Sequence, residues 1–298
     1  MDLNLLVALD VLLAEQNVSV AAERLNLSQS ATSGALARLR QYFGDELLIN
    51  VNGRQMQLTP RGRQLRTPVR NVLLQIRATV TDQAEFNPAL SKRRFTVLAS
   101  DYAIRVVLCE AMRRAAAQAP DVRFDIQPLG GEPAERLNRA EVDFVILPQQ
   151  FVSGIHPQRL LFEDEYVVVA CADNPQIGTQ LSLEQYFGMG HIAARMWGVP
   201  AAEPTMEDWF MSVAPQQRRI EVLAPSYSDV PQMLLGTRRI ATLHRRLAEM
   251  FATRLPLKLV PVPLDIPRVR ETLQWNRLQQ DDPGVLWLAG LLTQVCTE

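Results

Sequence analysis

Residues 19–40 read SVAAERLNLSQSATSGALARLR. Apolar residues recur at steps of three and four on either side of Leu27-Ser28, which predicts two helices joined by a very short turn. Ser28 suits the N-cap of the second helix, and Gly44 suits the left-handed position that ends it. With an earlier amphipathic helix over residues 3–16, this stretch predicts a helix-turn-helix at the start of the chain.

The second helix of this pair has an apolar stripe, formed by Leu36, Leu39 and Phe43, and an opposite face of small polar side chains. Slim side chains let a helix enter the major groove of DNA, where glutamine pairs with adenine through two hydrogen bonds. A solvent-exposed polar face without a ligand is the alternative for any single serine-rich helix. The side chains expected to contact bases or phosphates are Ser28, Gln29, Ser30, Ser33 and Arg38.

A β-hairpin is predicted directly after this helix. Two short extended runs, residues 46–51 and 54–58, flank Asn52-Gly53, a pair that readily supplies the positive φ angles of a type I′ turn. A hairpin in this position is a wing, and Arg54 at its tip is expected to contact the phosphate backbone or the minor groove. A packing hairpin with an exposed arginine is the alternative.

Thr59-Pro60 predicts the start of a long linker helix, because threonine is a good N-cap and proline is favoured at the first helical position. Apolar residues then recur at helical spacing over residues 65–80, and Pro68 predicts a kink. Nothing nearby in the sequence obviously covers this seam. We therefore expect it to pair with a second copy, so that a dimer presents two reading helices to two-fold-related DNA.

Positive charge is concentrated near the N-terminus. Residues 24–77 hold nine arginines and two acids, residues 91–298 hold 22 basic and 24 acidic residues, and the whole chain has a net charge of −1. This asymmetry predicts that the N-terminal block binds a polyanion, namely double-stranded promoter DNA. No apolar run approaches the roughly 18 residues of a membrane span, and no basic secretory signal is present, so we expect a cytoplasmic protein.

Motifs for metal, cofactor or catalytic chemistry are not evident. The three cysteines and three histidines are scattered without a metal-binding spacing. The sequence contains neither a Gly-x-Ser-x-Gly elbow nor a P-loop. We therefore expect no metal, no cofactor and no enzyme activity. The alternatives are an enzyme that uses the α/β lobes of the C-terminal region and a small-molecule-binding receptor.

Beyond the linker, strand and helix patterns alternate, which predicts α/β lobes with parallel strands. The expected domains are a winged helix-turn-helix over residues 1–59, a linker helix over 60–90 and an effector-binding domain over 91–298. Lobe I is expected to comprise about 91–168 and 267–298, and lobe II about 169–266. Strands crossing between the lobes are expected near 168–172 and 262–266.

In such sheets ligands bind beyond the carboxyl ends of the strands, near helix N-termini. Hydroxyl groups and helix N-termini there favour a carboxylate or phenolate group on the ligand. Ordinary core positions are the alternative for the aromatic residues, and a structural role is the alternative for the histidine. The expected effector-binding residues are Ser100, Asp101, Leu147, Pro148, Phe151, His191, Trp197, Ser226, Tyr227 and Thr242.

One motif in the N-terminal region resembles that of the LysR-type transcriptional regulators. It reads Ala22-x-x-Leu25-x-x-Ser28-Gln29-Ser30-x-x-Ser33-x-x-Leu36-x-x-Leu39, followed by Gly44-x-x-Leu47 and Leu58-Thr59-Pro60-x-Gly62. The resemblance implies a winged helix-turn-helix, a dimerising linker helix and a sensor like periplasmic binding proteins. It also implies a dimer of dimers that bends promoter DNA, and it is compatible with RNA polymerase as a further partner.

Three further stretches resemble one branch of that family: Phe86-Asn87-Pro88, Met233-Leu234-Leu235-Gly236-Thr237 and Asp282-Pro283-Gly284. The branch holds flavonoid-responsive nodulation regulators and regulators of naphthalene, salicylate and chloroaromatic degradation. The expected function is an activator of aromatic-catabolism genes that responds to a small hydroxylated, carboxylated or chlorinated aromatic inducer. A flavonoid-responsive nodulation-type regulator is the alternative.

Overall fold

A computed structural model describes residues 2–51, 55–80, 86–194 and 216–297, without the side chains of residue 55 and residues 77–80. The chain divides into two units, Met1–Ala84 and Glu85–Glu298. Within the described ranges, no helix combines the length and the apolar character that a bilayer crossing demands.

The N-terminal unit is built from four helices and a hairpin. Ser28 caps the third helix, accepting a hydrogen bond from the Ala31 N–H at 3.1 Å, and Gly44 ends it with a φ of 62°, as predicted. Asn17, rather than Ser19, caps the second helix. The helices are α1 (Leu3–Glu15), α2 (Val18–Leu25), α3 (Gln29–Phe43) and α4 (Pro60–Val80).

The hairpin follows α3 and consists of β1 (Leu48–Val51) and β2 (Gln55–Leu58). The strands are antiparallel, with Leu48 opposite Leu58, so the predicted wing is confirmed for its two strands. The predicted turn and Arg54 lie outside the described residues.

The apolar seam of α4 has a partner within its own unit, which corrects the expectation that nothing local covers it. Leu65, Val69 and Leu73 join the core formed by α1, α3 and the hairpin. Arg70 also forms an ion pair with Asp10 of α1 at 2.8 Å. Pro68 lies inside α4, which is assigned as one helix. Val72 remains 45% exposed and is available to a further partner.

A compact junction joins the end of α3, the hairpin and the start of α4. The Asp45 Oδ1 accepts hydrogen bonds from the Leu47 N–H at 2.7 Å and from the Thr59 hydroxyl at 2.6 Å. Thr59 caps α4 as predicted, because its Oγ1 accepts from the Gly62 N–H at 3.0 Å. A Cβ on Gly62 would lie 2.5 Å from the Leu47 carbonyl oxygen, which explains why this position has no side chain.

In the second unit, one five-stranded sheet forms lobe I, with strand order β4-β3-β5-β12-β6. Strands β3, β4 and β5 run parallel, and β12 runs antiparallel to both of its neighbours. Ser100 caps the helix after β3, as predicted. That helix contains a π-helical segment at Ile104–Leu108. The elements are β3 (Arg94–Ala99), α5 (Asp101–Ala103), α6 (Cys109–Gln118), β4 (Arg123–Pro128), α7 (Pro133–Asn138), β5 (Phe144–Pro148), β6 (Gln158–Asp164), β12 (Val269–Trp275) and α11 (Pro283–Thr297).

A second five-stranded sheet forms lobe II, with strand order β11-β7-β10-β8-β9. Strands β8, β9 and β10 are parallel, whereas β7 is antiparallel to β10 and β11. Ser182 and Gln185 form a capping box at the start of the helix after β7. The elements are β7 (Tyr166–Cys171), α8 (Leu183–Gly188), β8 (Gly190–Ala194), β9 (Arg219–Ala224), α9 (Val230–Leu234), β10 (Ile240–His244), α10 (Arg245–Ala252) and β11 (Leu257–Pro261).

The two sheets confirm the predicted fold class of a two-lobed α/β domain behind a helix-turn-helix. The first crossing point differs from the one expected, and the second agrees with it. The chain passes from lobe I to lobe II at Glu165, between β6 and β7, so residues 168–172 do not cross. It returns between β11 and β12, over residues 262–268.

Candidate DNA-reading helix and effector crevice

The predicted reading face of α3 is exposed in the structure. Leu36 and Leu39 are 5% and 0% exposed and anchor the helix on the core. The opposite side carries Ser28, Gln29, Ser30, Ser33 and Arg38, all exposed. Gly34 and Ala37 lie between them and are also exposed, so this face has no bulky side chain near its centre.

The residues of this face differ in whether their side chains already form hydrogen bonds. Ser28 Oγ is occupied by the helix cap and lies 3.0 Å from the Ser30 Oγ. Within the described ranges, the side chains of Gln29 and Ser33 make no hydrogen bond and are free to contact a partner.

Arg40 of α3 does not belong to this face. Its guanidinium donates to the carbonyls of Glu46 at 2.9 Å and Leu48 at 2.7 Å. It also forms an ion pair with the Glu46 carboxylate at 3.0 Å. Arg40 therefore fixes the hairpin onto α3.

Several predicted effector residues meet where lobe I faces lobe II. Asp101 follows β3, and its carboxylate accepts a hydrogen bond of 2.7 Å from the Ser228 N–H in lobe II. Helix α9 begins after Asp229 and has no side-chain cap. Ser226 donates to Asp229 at 2.7 Å, and Tyr227 is half-buried between them. Ser100 is buried, and its hydroxyl is used as a helix cap.

Other predicted effector residues belong elsewhere. His191 is the second residue of β8, at the amino end of the strand, where it is buried and bonded at 2.7 Å to the Tyr186 carbonyl. Thr242 lies in the middle of β10 and pairs with the Tyr186 hydroxyl at 2.7 Å. Leu147 and Phe151 pack in a small apolar core of lobe I. Trp197 lies outside the described residues.

Between the lobes lies a group of polar and aromatic side chains, termed the interlobe cluster, of which the sequence predicted only Tyr227 as a site residue. The Tyr102 hydroxyl donates to the Asp164 carboxylate at 2.6 Å, and its ring stacks on His244 with centroids 3.9 Å apart. Two further tyrosine rings contact His244, at 4.9 and 5.1 Å. The members of the cluster are Tyr102, Asp164, Tyr166, Tyr227, His244 and Glu271.

Local irregularities position two members of the cluster. Glu271 lies on β12 at a β-bulge against β6 and is paired in register with Pro148. Bulges re-aim side chains and occur near functional sites. Tyr102 lies two residues before the π-helical segment, another irregularity that is frequent at such sites.

Burial controls protonation in the cluster. Together with the smaller effect of the nearby Asp164, it raises the pKa of Glu271 to about 8. Burial also raises the pKa of Asp164, against the opposing effect of the Tyr102 hydrogen bond. Burial lowers the pKa of His244 to about 3. At neutral pH Glu271 is therefore mostly protonated and His244 is neutral.

Four buried polar atoms of this region have no hydrogen-bond partner within the described ranges: Glu271 Oε2, Tyr166 Oη, Ser228 Oγ and His244 Nδ1. Buried polar groups are nearly always satisfied by protein, water or ligand. Glu271 belongs to lobe I and the other three belong to lobe II, so the unpaired atoms flank the crevice. Together they offer both donors and acceptors to a molecule held between the lobes.

A sequence signal existed for part of the cluster. His244 directly follows the predicted strand over residues 240–243, so the rule that placed ligands at carboxyl strand ends applies to it better than to Thr242. Tyr102 stands two residues after the predicted cap Ser100. Glu271 had no comparable signal, because its bulge depends on the pairing of β12 with β6.

Comparison with known proteins agrees with this architecture. Residues 3–63 match the bacterial regulatory helix-turn-helix protein of the lysR family. Residues 88–297 match the LysR substrate binding domain. Nodulation protein D of Bradyrhizobium sp. (strain ANU 289) is 43% identical over 294 residues, covering 99% of this chain and 86% of that protein.

Solved structures show the same fold. The probable transcriptional regulator PA0477 from Pseudomonas aeruginosa is 29% identical, with a TM-score of 0.76 over 99% of this chain and 97% of that one. A full-length OxyR variant from Pseudomonas aeruginosa, 17% identical, gives a TM-score of 0.77 over 99% of this chain and 94% of that one. With both halves matched and the helix-turn-helix followed by a two-lobed sensor, this chain belongs to the LysR family of DNA-binding transcriptional regulators.

Proposed function

We propose that α3 reads promoter DNA through its exposed slim face. Gln29, Ser30 and Ser33 contact base edges, and Ser28 and Arg38 contact phosphates, with Arg54 of the wing as a further phosphate or minor-groove contact. One observation carries this assignment. Gln29 and Ser33 are exposed, their hydrogen-bonding groups are unoccupied, and they lie beside the small residues Gly34 and Ala37.

We also propose that the chain acts as a cytoplasmic homodimer, assembled further into a dimer of dimers. The exposed Val72 of α4 supports a dimer contact along that helix. A dimer of this kind presents two copies of α3 to related half-sites. Activation of transcription through contact with RNA polymerase completes the proposal.

The proposed effector is an uncharged hydroxylated aromatic compound, held between the lobes by the interlobe cluster with Asp101 and Ser228. Both buried acids of the cluster have raised pKa values, so the site disfavours a further negative charge. A protonated Glu271 carboxyl donates one hydrogen bond and accepts another, which suits a hydroxyl group. The aromatic rings around His244 offer stacking surfaces.

This chemistry revises the expectation of a carboxylate on the ligand. It supports the nodulation-type alternative over a regulator of carboxylated aromatics, as does the similarity to nodulation protein D. Salicylate would place a carboxylate against Asp164 and Glu271. A hydroxylated flavonoid carries several neutral hydroxyl groups on a flat aromatic body.

The test is a footprint of the purified protein on its upstream intergenic DNA, with a hydroxylated flavone, with salicylate and without addition. We expect protection in all three cases and a changed pattern only with the flavone. Absence of any protected stretch at modest salt would refute the DNA assignment. A change with salicylate alone would refute the proposed effector class while leaving the DNA assignment intact.

Two substitutions of Glu271 and one control substitution at Glu163 test the effector site. Glu271→Gln retains a neutral hydrogen-bonding group and should keep the flavone response. Glu271→Leu removes both hydrogen-bonding atoms and should abolish the response while DNA binding persists. Glu163→Gln changes an exposed acid of β6 and should leave DNA binding and the response unchanged.

A further inference from the structure

Lobe II contains a cavity of about 530 Å³ at the amino ends of its parallel strands. The interlobe cluster lies at the carboxyl end of β10, so the two sites are at opposite ends of the strand. The residues lining the cavity are Gln176, Gly188, Met189, Gly190, Arg219, Glu221, Gly236, Thr237, Arg238 and Arg239.

A charged bridge forms one wall of this cavity. Arg239, just before β10, forms an ion pair with Glu221 of β9 at 2.8 Å, although β8 lies between those two strands. Arg219 approaches the other oxygen of the same carboxylate at 3.1 Å. Gly190 of β8 lies beneath the bridge, and a Cβ at this position would collide with the Glu221 carboxylate. Bare backbone at this position therefore allows the bridge to form.

The opposite wall is held in place by a buried asparagine. Asn174 donates through Nδ2 to the Arg238 carbonyl at 3.1 Å and accepts through Oδ1 from the Gln176 N–H at 3.0 Å. Lys258 donates to the Asn174 carbonyl at 2.6 Å. The loops that carry Gln176 and Arg238 are thus fixed relative to each other, so the cavity is pre-organised.

The cavity carries a surplus of positive charge. Three arginines line it, and Glu221 is the single acid among its lining residues, which leaves two positive charges. Arg219 and Arg239 share Glu221, whereas the exposed Arg238 side chain has no ion pair or hydrogen bond within the described ranges. Arginine forks bind oxyanions through paired hydrogen bonds, and two uncompensated charges match one dianionic group.

We propose that this cavity binds a small organic phosphate, with Arg238 as its principal contact to the phosphate group. A single phosphate fills only a small part of the volume, and cavities of this size hold small metabolites. Met189 provides an apolar surface for the organic part. The site is separate from the effector crevice proposed above and does not depend on it.

The test is isothermal titration of the full chain at constant ionic strength. The probes are inorganic phosphate, the monoester AMP and, as an uncharged control, adenosine. We expect saturable binding of AMP, weaker binding of inorganic phosphate and no binding of adenosine. Arg238→Gln should weaken AMP binding by roughly tenfold, because a hydrogen bond to a charged group is lost.

Arg254→Gln is the matched control. It removes the same charge from an exposed arginine of lobe II that does not line the cavity, and it should leave AMP binding unchanged. Equal losses in both variants would show a general charge effect and overturn the proposal. It is overturned equally if AMP and inorganic phosphate do not bind, or if binding survives Arg238→Gln unchanged. A thermal unfolding curve of Arg238→Gln, followed by tryptophan fluorescence and unchanged from that of the unmodified chain, confirms that the variant is folded, since all four tryptophans lie after residue 190.

Discussion

Glu271→Gln should remove a pH dependence of stability from the effector-binding unit. Glu271 is 2% exposed, and burial raises its pKa from 4.5 to about 8. Between these values the folded chain retains a proton that the unfolded chain has released. Stability therefore falls as pH rises through this window. A glutamine in the same position has no proton to lose in this range.

The magnitude follows from proton linkage. Each pKa unit corresponds to about 1.4 kcal/mol, so raising the pH from about 6.5 to about 8.5 should lower the free energy of unfolding by about 2 kcal/mol. For a unit of this size, that loss lowers Tm by roughly 4–8 °C. The histidines act in the opposite sense, because their lowered pKa values make stability rise with pH, and only up to about pH 6.5.

Tryptophan fluorescence isolates the relevant unit, since all four tryptophans lie after residue 190. Thermal unfolding of the full chain should show the decline in Tm between about pH 6.5 and 8.5, and Glu271→Gln should be nearly flat over the same range. Equal slopes for the two proteins would refute a buried protonated Glu271. Glu163→Gln, an exposed acid, should retain the slope of the unmodified chain.

Three further changes test other parts of the molecule. Gln29→Ala should weaken binding to the cognate site by about 1–3 kcal/mol and binding to random DNA very little; equal losses in a mobility-shift titration would mean that Gln29 contacts phosphate alone. Gly62→Ala forces a Cβ against the Leu47 carbonyl and should destabilise the N-terminal unit by about 1–3 kcal/mol, as measured by far-UV circular dichroism. Gly34→Ala is the control and should not change the stability, because nothing lies within 4 Å of a Cβ at that position. Tyr102→Phe removes the hydroxyl that donates to the buried Asp164 and should lower stability by about 1–3 kcal/mol in the tryptophan assay; an unchanged Tm would show that the hydrogen bond contributes nothing.

The N-terminal unit was predictable from the sequence because its signals are local. The cap at Ser28, the left-handed Gly44 and the Thr59-Pro60 start each depend on residues within a few positions, and the structure has all three. The role of Arg40 was not predictable. Its position on α3 is compatible with an exposed side chain. The two carbonyls that it binds come from Glu46 and Leu48, and they reach Arg40 only because the chain folds back after α3.

The effector crevice was only partly predictable, because its members come from distant parts of the chain. Asp101 and Tyr227, which the strand-end rule predicts, lie where lobe I faces lobe II, whereas His191 lies at the amino end of its strand because β8 begins at Gly190. Glu271 and Asp164 meet through sheet pairing and through the crossing at Glu165. No spacing in the sequence encodes these contacts.

The junction at Asp45 limits what a signal from the inducer is able to change. Asp45, Leu47 and Thr59, which lie between α3, the hairpin and the first turn of α4, are joined to one another by hydrogen bonds of 2.6–3.0 Å. A torque applied along α4 would rotate α3 and the hairpin together as one rigid unit. The side chains of α3 would then keep the same contacts with each half-site. Induction should then alter the bend or spacing of the occupied promoter, and the order of preference among half-site sequences should be identical with and without inducer.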